Sequence, residues 1–285
     1  MNTALLAIAG SVAMHVAWNL LVRQQGTKTR LLWWALATHC LILAPWGVYA
    51  LVTQAHWGPQ LTTALLVSSL ANVAYFVALD RAYHRAPVAL VYPIVRSSPI
   101  LIAIWSMLFF GESFGIGAWL AMLLSVAGLI LLASTAWRND ANAALPWALA
   151  AALATSAYSL SDKAAAKFLP TLSSVLGFIS VGYALSFIAI TVLLRREHGR
   201  WYPERRAPLL IMLFAGLCIG LAYVLVIHAM RNMPAAVVVA FTNAGIVIAG
   251  VLSILMFHER QHWKQRLIGM VVVMLGLIVL AIVQI

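Results

Sequence analysis

Arg96 is the residue whose surroundings demand an explanation. It lies in 88–110, VALVYPIVRSSPILIAIWSMLFF, with Pro93 and Pro99 on either side. This stretch is long and apolar enough to cross a bilayer. A cation near the centre of such a helix costs about 2.5–3.5 kcal/mol on insertion scales. Each proline removes a backbone donor and frees a carbonyl that must find another partner. A guanidinium at such a place offers five donors in a planar fork, the arrangement that suits a carboxylate, phosphate or phosphonate. Arg96 is therefore read as the receiver of an anionic group on a watered path. The structural alternative is a pairing with Asp80 or Asp162, or with carbonyls freed by Pro93. Tyr92, four residues earlier, shares its face.

Other polar side chains recur at helical spacing inside apolar stretches. His15, Trp18 and Asn19 form one stripe at i, i+3, i+4, and so do Asn72, Tyr75 and Phe76, and Tyr158, Ser161 and Asp162. Such stripes do not suit lipid and are expected to face the protein interior. The plainer use of each is an interhelical hydrogen-bond network. Tyr223, His228, Thr242 and Asn243 extend the set. Asp162 and Lys163 lie toward a helix end, where solvent is the simplest partner. Asp80 is expected to pair at the interface with Arg81. The candidate substrate-binding residues are thus Arg96, Tyr92, His15, Trp18, Asn19, Asn72, Tyr75, Tyr158, Tyr223 and Asn243. His39 and Tyr183 are read as packing residues.

The elements that must carry them follow from composition. The 285 residues are 64% hydrophobic and only 9% charged, against about a quarter charged in soluble domains. Ten apolar windows are expected to span a membrane: 4–22, 31–52, 61–80, 88–110, 116–135, 146–167, 173–194, 208–230, 235–256 and 267–284. The N-terminus lacks a basic leader region and is read as the first span. Trp33, Trp34, Trp46, Trp57, Trp137 and Trp201 fall near span ends and are read as interface anchors.

The net charge of +11 reads as topology, not as a nucleic-acid surface. Fourteen of the 18 basic residues fall in alternate loops: Arg23, Lys28, Arg30; Arg81, Arg85; Arg138; Arg195, Arg196, Arg200, Arg205, Arg206; Arg260, Lys264, Arg266. The remaining loops hold Lys163, Lys167 and Arg231. By the positive-inside rule the first set is cytoplasmic and both termini are outside. No Walker motif, nucleophile–base constellation or metal-ligand spacing is present, so no enzyme chemistry and no cofactor is expected. Cys40 and Cys218 fall in apolar runs and imply no disulfide framework.

The two halves of the chain, 1–137 and 138–285, resemble each other. Pro87 and Pro234 each precede a span that ends in glutamate, Glu112 and Glu259, and both pairs are 147 residues apart. Gly128-Leu-Ile-Leu-Leu matches Gly276-Leu-Ile-Val-Leu, and AWNLLVR at 17–23 aligns with AYSLSDK at 157–163. The same offset sets Asn243 against Arg96. Five spans per copy is an odd number, so the second copy must cross the membrane inverted. The fold class is an all-α integral membrane protein of ten helices in two inverted five-helix repeats.

This pattern resembles the drug/metabolite transporter superfamily, EamA type. The resemblance rests on the proline leads into spans four and nine, on Gly111-Glu112 and on His258 to Arg260. The small-xx-Gly runs of spans five and ten add to it. MHVAWNLLVR (14–23) and VYPIVRSSP (91–99) resemble a subgroup with H-A-x-W-N and Y-P-x-x-R. Many relatives end in a basic tail with both termini inside, whereas this chain ends VVVMLGLIVLAIVQI. The resemblance implies a secondary transporter of a small metabolite such as an amino acid, working in a bacterial inner membrane by alternating access. Export is commoner than uptake among bacterial relatives. The expected partners are a small-molecule substrate and the lipid bilayer, with no nucleic acid, and the chain is expected as a monomer or homodimer. The rival readings are uptake of an organophosphonate or similar anion, and a membrane scaffold that transports nothing. Efflux of cationic drugs is disfavoured because no carboxylate is expected in mid-span.

Overall fold

A computed structural model describes residues 2–25, 29–137, 139–257 and 262–284. Lys28, Arg138, His258, Glu259 and Arg260 lie outside them, as do the side chains of Trp18, Asn19 and Arg23. The described chain is helical with no strands. Its α-helices are α1 (Asn2–Gln25), α2 (Leu31–Ile42), α3 (Ala44–Gln54), α4 (Pro59–Tyr83), α5 (Val88–Val95), α6 (Pro99–Phe110) and α7 (Ile116–Ser134). They continue with α8 (Leu145–Ala165), α9 (Leu172–His198), α10 (Leu209–Met230), α11 (Ala235–Thr242), α12 (Ala244–Phe257) and α13 (Trp263–Gln284).

Prolines mark where helices start and break. Pro59 opens α4, Pro87, Pro208 and Pro234 cap α5, α10 and α11, and Pro45 and Pro99 sit in the first turns of α3 and α6. Proline costs nothing there, because the first N–H groups of a helix have no partner within it. Gly111 and Gly199 end α6 and α9 with φ of 63° and 70°, a conformation that favours residues without a Cβ. Thr171 starts α9 with a capping box to Ser174.

Among the described residues, eight helices or helix pairs are long and apolar enough to span a membrane. The pair α2–α3, bent by 53°, is a ninth if counted as one span. The first helix is 24 residues long, but its described apolar stretch is only Thr3–Ala17. The chain is therefore a multi-pass membrane protein, and the expected count of ten exceeds the eight or nine spans seen by this measure. The exposed apolar side chains suit lipid contact, among them Leu108 and Phe109 of α6 and Ile116 and Leu120 of α7.

By contact the chain forms two compact units. Unit 1 comprises Met1–Val77 and Ala157–Asn232; unit 2 comprises Ala78–Ser156 and Met233–Ile285. Each unit draws on both halves of the sequence, so compact unit and sequence repeat divide the chain differently. Helices α4 and α8 are each shared out between the two units. In unit 1, α3 packs on α9 so closely that a Cβ at Gly177 would lie 2.0 Å from the Gly47 carbonyl oxygen. In unit 2, α7 packs on α13 through Gly128, where a Cβ would meet the Val273 nitrogen at 2.6 Å. Small residues at such crossings let backbones approach where lipid gives no hydrophobic drive to association.

Two expectations about interface residues change. Trp33 is buried, donates to Thr191 Oγ1 at 2.9 Å and packs on Phe187, so it is an interior residue and not an anchor. Asp80 pairs with His84, four residues on, at 3.6 Å, while Arg81 lies 6.0 Å from the Trp147 ring. One helical turn puts His84 on the face of Asp80, whereas the adjacent Arg81 points away.

Candidate functional site

Arg96 stands at a break in unit 2. Pro93 and Pro99 have no N–H, so the carbonyls of Ala89 and Val95 lose their helical partners. Helix α5 stops at Val95, and Arg96 adopts φ −78°, ψ 1°. Helix α6 restarts at Pro99. Arg96 Nε and Nη2 donate to the Tyr92 hydroxyl at 2.9 and 2.7 Å, and Nη1 donates to Thr242 Oγ1 at 2.9 Å. The guanidinium carbon lies 5.1 Å from the Tyr92 ring centre, within cation–π range.

The second half supplies a matching break. Helix α11 ends at Thr242, Asn243 intervenes and α12 begins at Ala244. Asn243 is buried and its Nδ2 donates to the Arg96 carbonyl at 3.1 Å. The residue that the sequence offset sets against Arg96 therefore touches it. The Asn243 Oδ1 and the Ser98 hydroxyl are buried polar atoms with no hydrogen-bond partner among the described residues. Two helix starts, at Pro99 and Ala244, follow the joined breaks, and helix starts carry partial positive charge. The helix ends at Val95 and Thr242 meet the same breaks, so the group that distinguishes the junction is the Arg96 guanidinium.

A second polar centre lies in unit 1. Asp162 of α8 is 0% exposed. Its Oδ1 accepts from Ser68 Oγ of α4 at 2.5 Å, and its Oδ2 accepts from the Tyr223 hydroxyl of α10 at 2.5 Å. Asn72 Nδ2 donates to the Ser68 carbonyl at 3.0 Å. Rings continue the cluster edge to face: Tyr223 to Tyr158 at 5.5 Å, Tyr158 to Tyr75 at 5.6 Å and Tyr75 to Phe76 at 5.0 Å. Phe76 meets Tyr183, which meets His39, and His39 Nε2 lies 2.9 Å from Ser180 Oγ. Solvent at a helix end was the simplest expectation for Asp162. It is corrected, because Ser68 of α4 and Tyr223 of α10 close over this end of α8. Lys163 points elsewhere, donating to the Met230 carbonyl at 2.8 Å.

The structure thus brings Arg96, Tyr92 and Asn243 together in unit 2, and Asn72, Tyr75, Tyr158 and Tyr223 together in unit 1. His15 is half-buried and bonds within its own helix, its Nδ1 lying 2.9 Å from the Ser11 carbonyl oxygen. The side chains of Trp18 and Asn19 lie outside the described residues. Sequence reasoning passed over Ser68 and misplaced Asp162. The signal for Ser68 was its spacing four residues before Asn72, which put it on the same stripe. Among the described residues no group of three His, Cys, Asp or Glu side chains could hold a metal ion.

Comparison with known proteins agrees with this architecture. The profile of the EamA-like transporter family matches residues 2–134 and 142–282, one copy in each half. No curated protein matches the chain. A solved structure, described only as the crystal structure of a protein, superposes with a TM-score of 0.76 at 18% identity, covering 100% of this chain and 98% of that one. At that identity the likeness speaks for the fold alone. With both halves matched, the chain is a membrane transporter that belongs to the EamA-like family of the drug/metabolite transporter superfamily.

Proposed function

We propose that this transporter is a secondary-active exporter of a small anionic or zwitterionic metabolite, such as an amino acid, working by alternating access in a bacterial inner membrane. The observation that carries the reading is Arg96, a permanent cation within an apolar span, placed where two helix breaks join. Its partners include the Tyr92 and Thr242 hydroxyls. An incoming carboxylate outcompetes a neutral hydroxyl for a guanidinium, since charge-assisted hydrogen bonds are roughly twice as strong as neutral ones. Tyr92 and Thr242 then act as a resting cradle that gives the fork up to a solute. The buried Ser98 hydroxyl and Asn243 Oδ1 supply a further donor and acceptor at the same junction.

The test is uptake of radiolabelled amino acids and small organic acids into liposomes carrying the purified protein. Arg96→Ala is expected to fall to the level of protein-free vesicles. Arg96→Lys keeps the charge but loses the planar fork, and is expected to weaken apparent affinity about tenfold, equivalent to about 1.4 kcal/mol. Wild-type rates in Arg96→Ala would remove the anion site, and no transport of any acid by wild type would favour the scaffold reading.

A further inference from the structure

We propose that Asp162 is the proton-binding residue of this transporter, taking up one proton from water on one side of the membrane and returning it on the other. Nothing in the anion reading of Arg96 requires this, and the observations lie in the other unit. The carboxyl is 0% exposed, and among the described residues its hydrogen-bond partners are two hydroxyls, Ser68 and Tyr223. The choice of hydroxyls matters. An arginine or backbone N–H would only donate and so would fix the anion. A carbonyl would only accept and so would fix the acid. A hydroxyl does either by rotating its hydrogen. Asp162 can therefore gain or lose a proton on either oxygen with its two hydroxyl contacts kept and only the donor and acceptor roles reversed. A buried carboxyl with purely structural duties has no need of that symmetry.

Space selects the proton among cations. The carboxyl is 0% exposed and each oxygen already holds a hydroxyl at 2.5 Å, so sodium or an organic ammonium would have to displace protein atoms that a proton leaves in place. The charged and titratable groups around Asp162 do not compete for the role. Tyr223 on α10 and Tyr183 on α9 lie within electrostatic reach of it, and Tyr158 on α8 packs on Tyr223. All three are phenols, not carboxyls or amines. Ser68 and Asn72 are the polar groups facing it from α4. His39 on α2 meets the cluster through the ring of Tyr183, and Lys163 turns to the Met230 carbonyl.

The position also suits coupling. Helix α8 passes from unit 2 to unit 1 at Ser156–Ala157, shortly before Asp162, and α4 passes from unit 1 to unit 2 at Val77–Ala78, after Ser68 and Asn72. The Ser68–Asp162 bond thus ties together the two helices shared by the units. A change of charge at that bond acts on both shared helices at once.

Infrared difference spectroscopy of the full chain in lipid nanodiscs, between mildly acid and mildly alkaline buffer, tests the proposal without a transported solute. Only 7 side-chain carboxyls are present, so a protonated-carboxyl band can be assigned by single variants. The wild type is expected to show such a band in acid and lose it in alkali. Asp162→Asn should abolish it, Tyr223→Phe should shift its frequency, and Arg96→Ala should leave it in place whatever becomes of solute transport. Asp162→Glu, checked for monodispersity, guards against a variant that simply fails to fold, and should move the band without removing it. An unchanged band in Asp162→Asn overturns the proposal. So does a wild-type spectrum with no pH-dependent carboxyl band, or one that responds to replacing choline by sodium at fixed pH.

Discussion

Arg96 and Asp162 illustrate two ways of keeping a charged residue type in an apolar span. Arg96 has hydroxyl acceptors around a donor-only group, and Asp162 has hydroxyl donors around an acceptor. Thr242 is the informative residue for the first. It accepts from Arg96 and donates to the Val239 carbonyl at 2.6 Å. Thr242→Val keeps the shape and removes both bonds. It is expected to cost about 1–3 kcal/mol, the penalty for leaving a buried group unsatisfied, measured by denaturant or thermal unfolding in detergent. No loss of stability would mean that Arg96 does not depend on this acceptor. Legibility in the sequence differs sharply between the two residues. The Arg96–Tyr92 contact was readable because both partners sit one turn apart, and the Arg96–Asn243 contact because the repeat offset pairs them. Burial of Asp162 was not readable: it depends on Ser68 and Tyr223, 94 and 61 residues away, and no local pattern reports what packs over a helix end.

At the scale of elements, breaks and close crossings carry the architecture. Pro93 and Pro99 announced the α5–α6 break, but the break at Asn243 has no proline within it and is visible only by analogy with the first half. The bend between α2 and α3 is marked by Pro45 alone, and the 31–52 window reads as one straight span from hydropathy. Close crossings are equally hidden, since a glycine inside an apolar run says nothing about which backbone it will meet. The α3–α9 crossing gives a sharp test. At Gly177 an added Cβ would overlap the Gly47 carbonyl, whereas at Gly58 nothing lies within 4 Å. Gly177→Ala must push two helices apart and is expected to cost at least the 1–3 kcal/mol of ordinary overpacking, about, seen as a lowered melting temperature or loss of the monodisperse peak. Gly58→Ala is expected to match the wild type. Equal stability of the two variants would show that the helices are not in backbone contact.

For the whole molecule, the open question with the clearest physical basis is orientation. Both halves match one family profile, yet the halves alone do not say which face is cytoplasmic. Basic residues bear on it, because translocating them is disfavoured and they hold short loops inside. The loop between α9 and α10 carries Arg200, Arg205 and Arg206 beside the Arg195 and Arg196 end of α9, and the α4–α5 turn carries Arg85 beside Arg81. The opposite set of connections is nearly devoid of them: Lys163 donates to the Met230 carbonyl and Arg231 to the Leu169 carbonyl, so two of its three basic residues are spent closing helix ends within unit 1. A periplasm-active reporter fused after Ile285 is therefore expected to be active, and a cytoplasm-active reporter at the same point silent. The reverse result would place the arginine-rich α9–α10 loop outside, since three spans, Leu209–Met230, Ala235–Leu252 and Trp263–Gln284, separate it from Ile285. It would mean that the positive-inside rule fails for this chain, because the uncertain spans, α1 and the α2–α3 pair, lie at the other end and do not alter that relation.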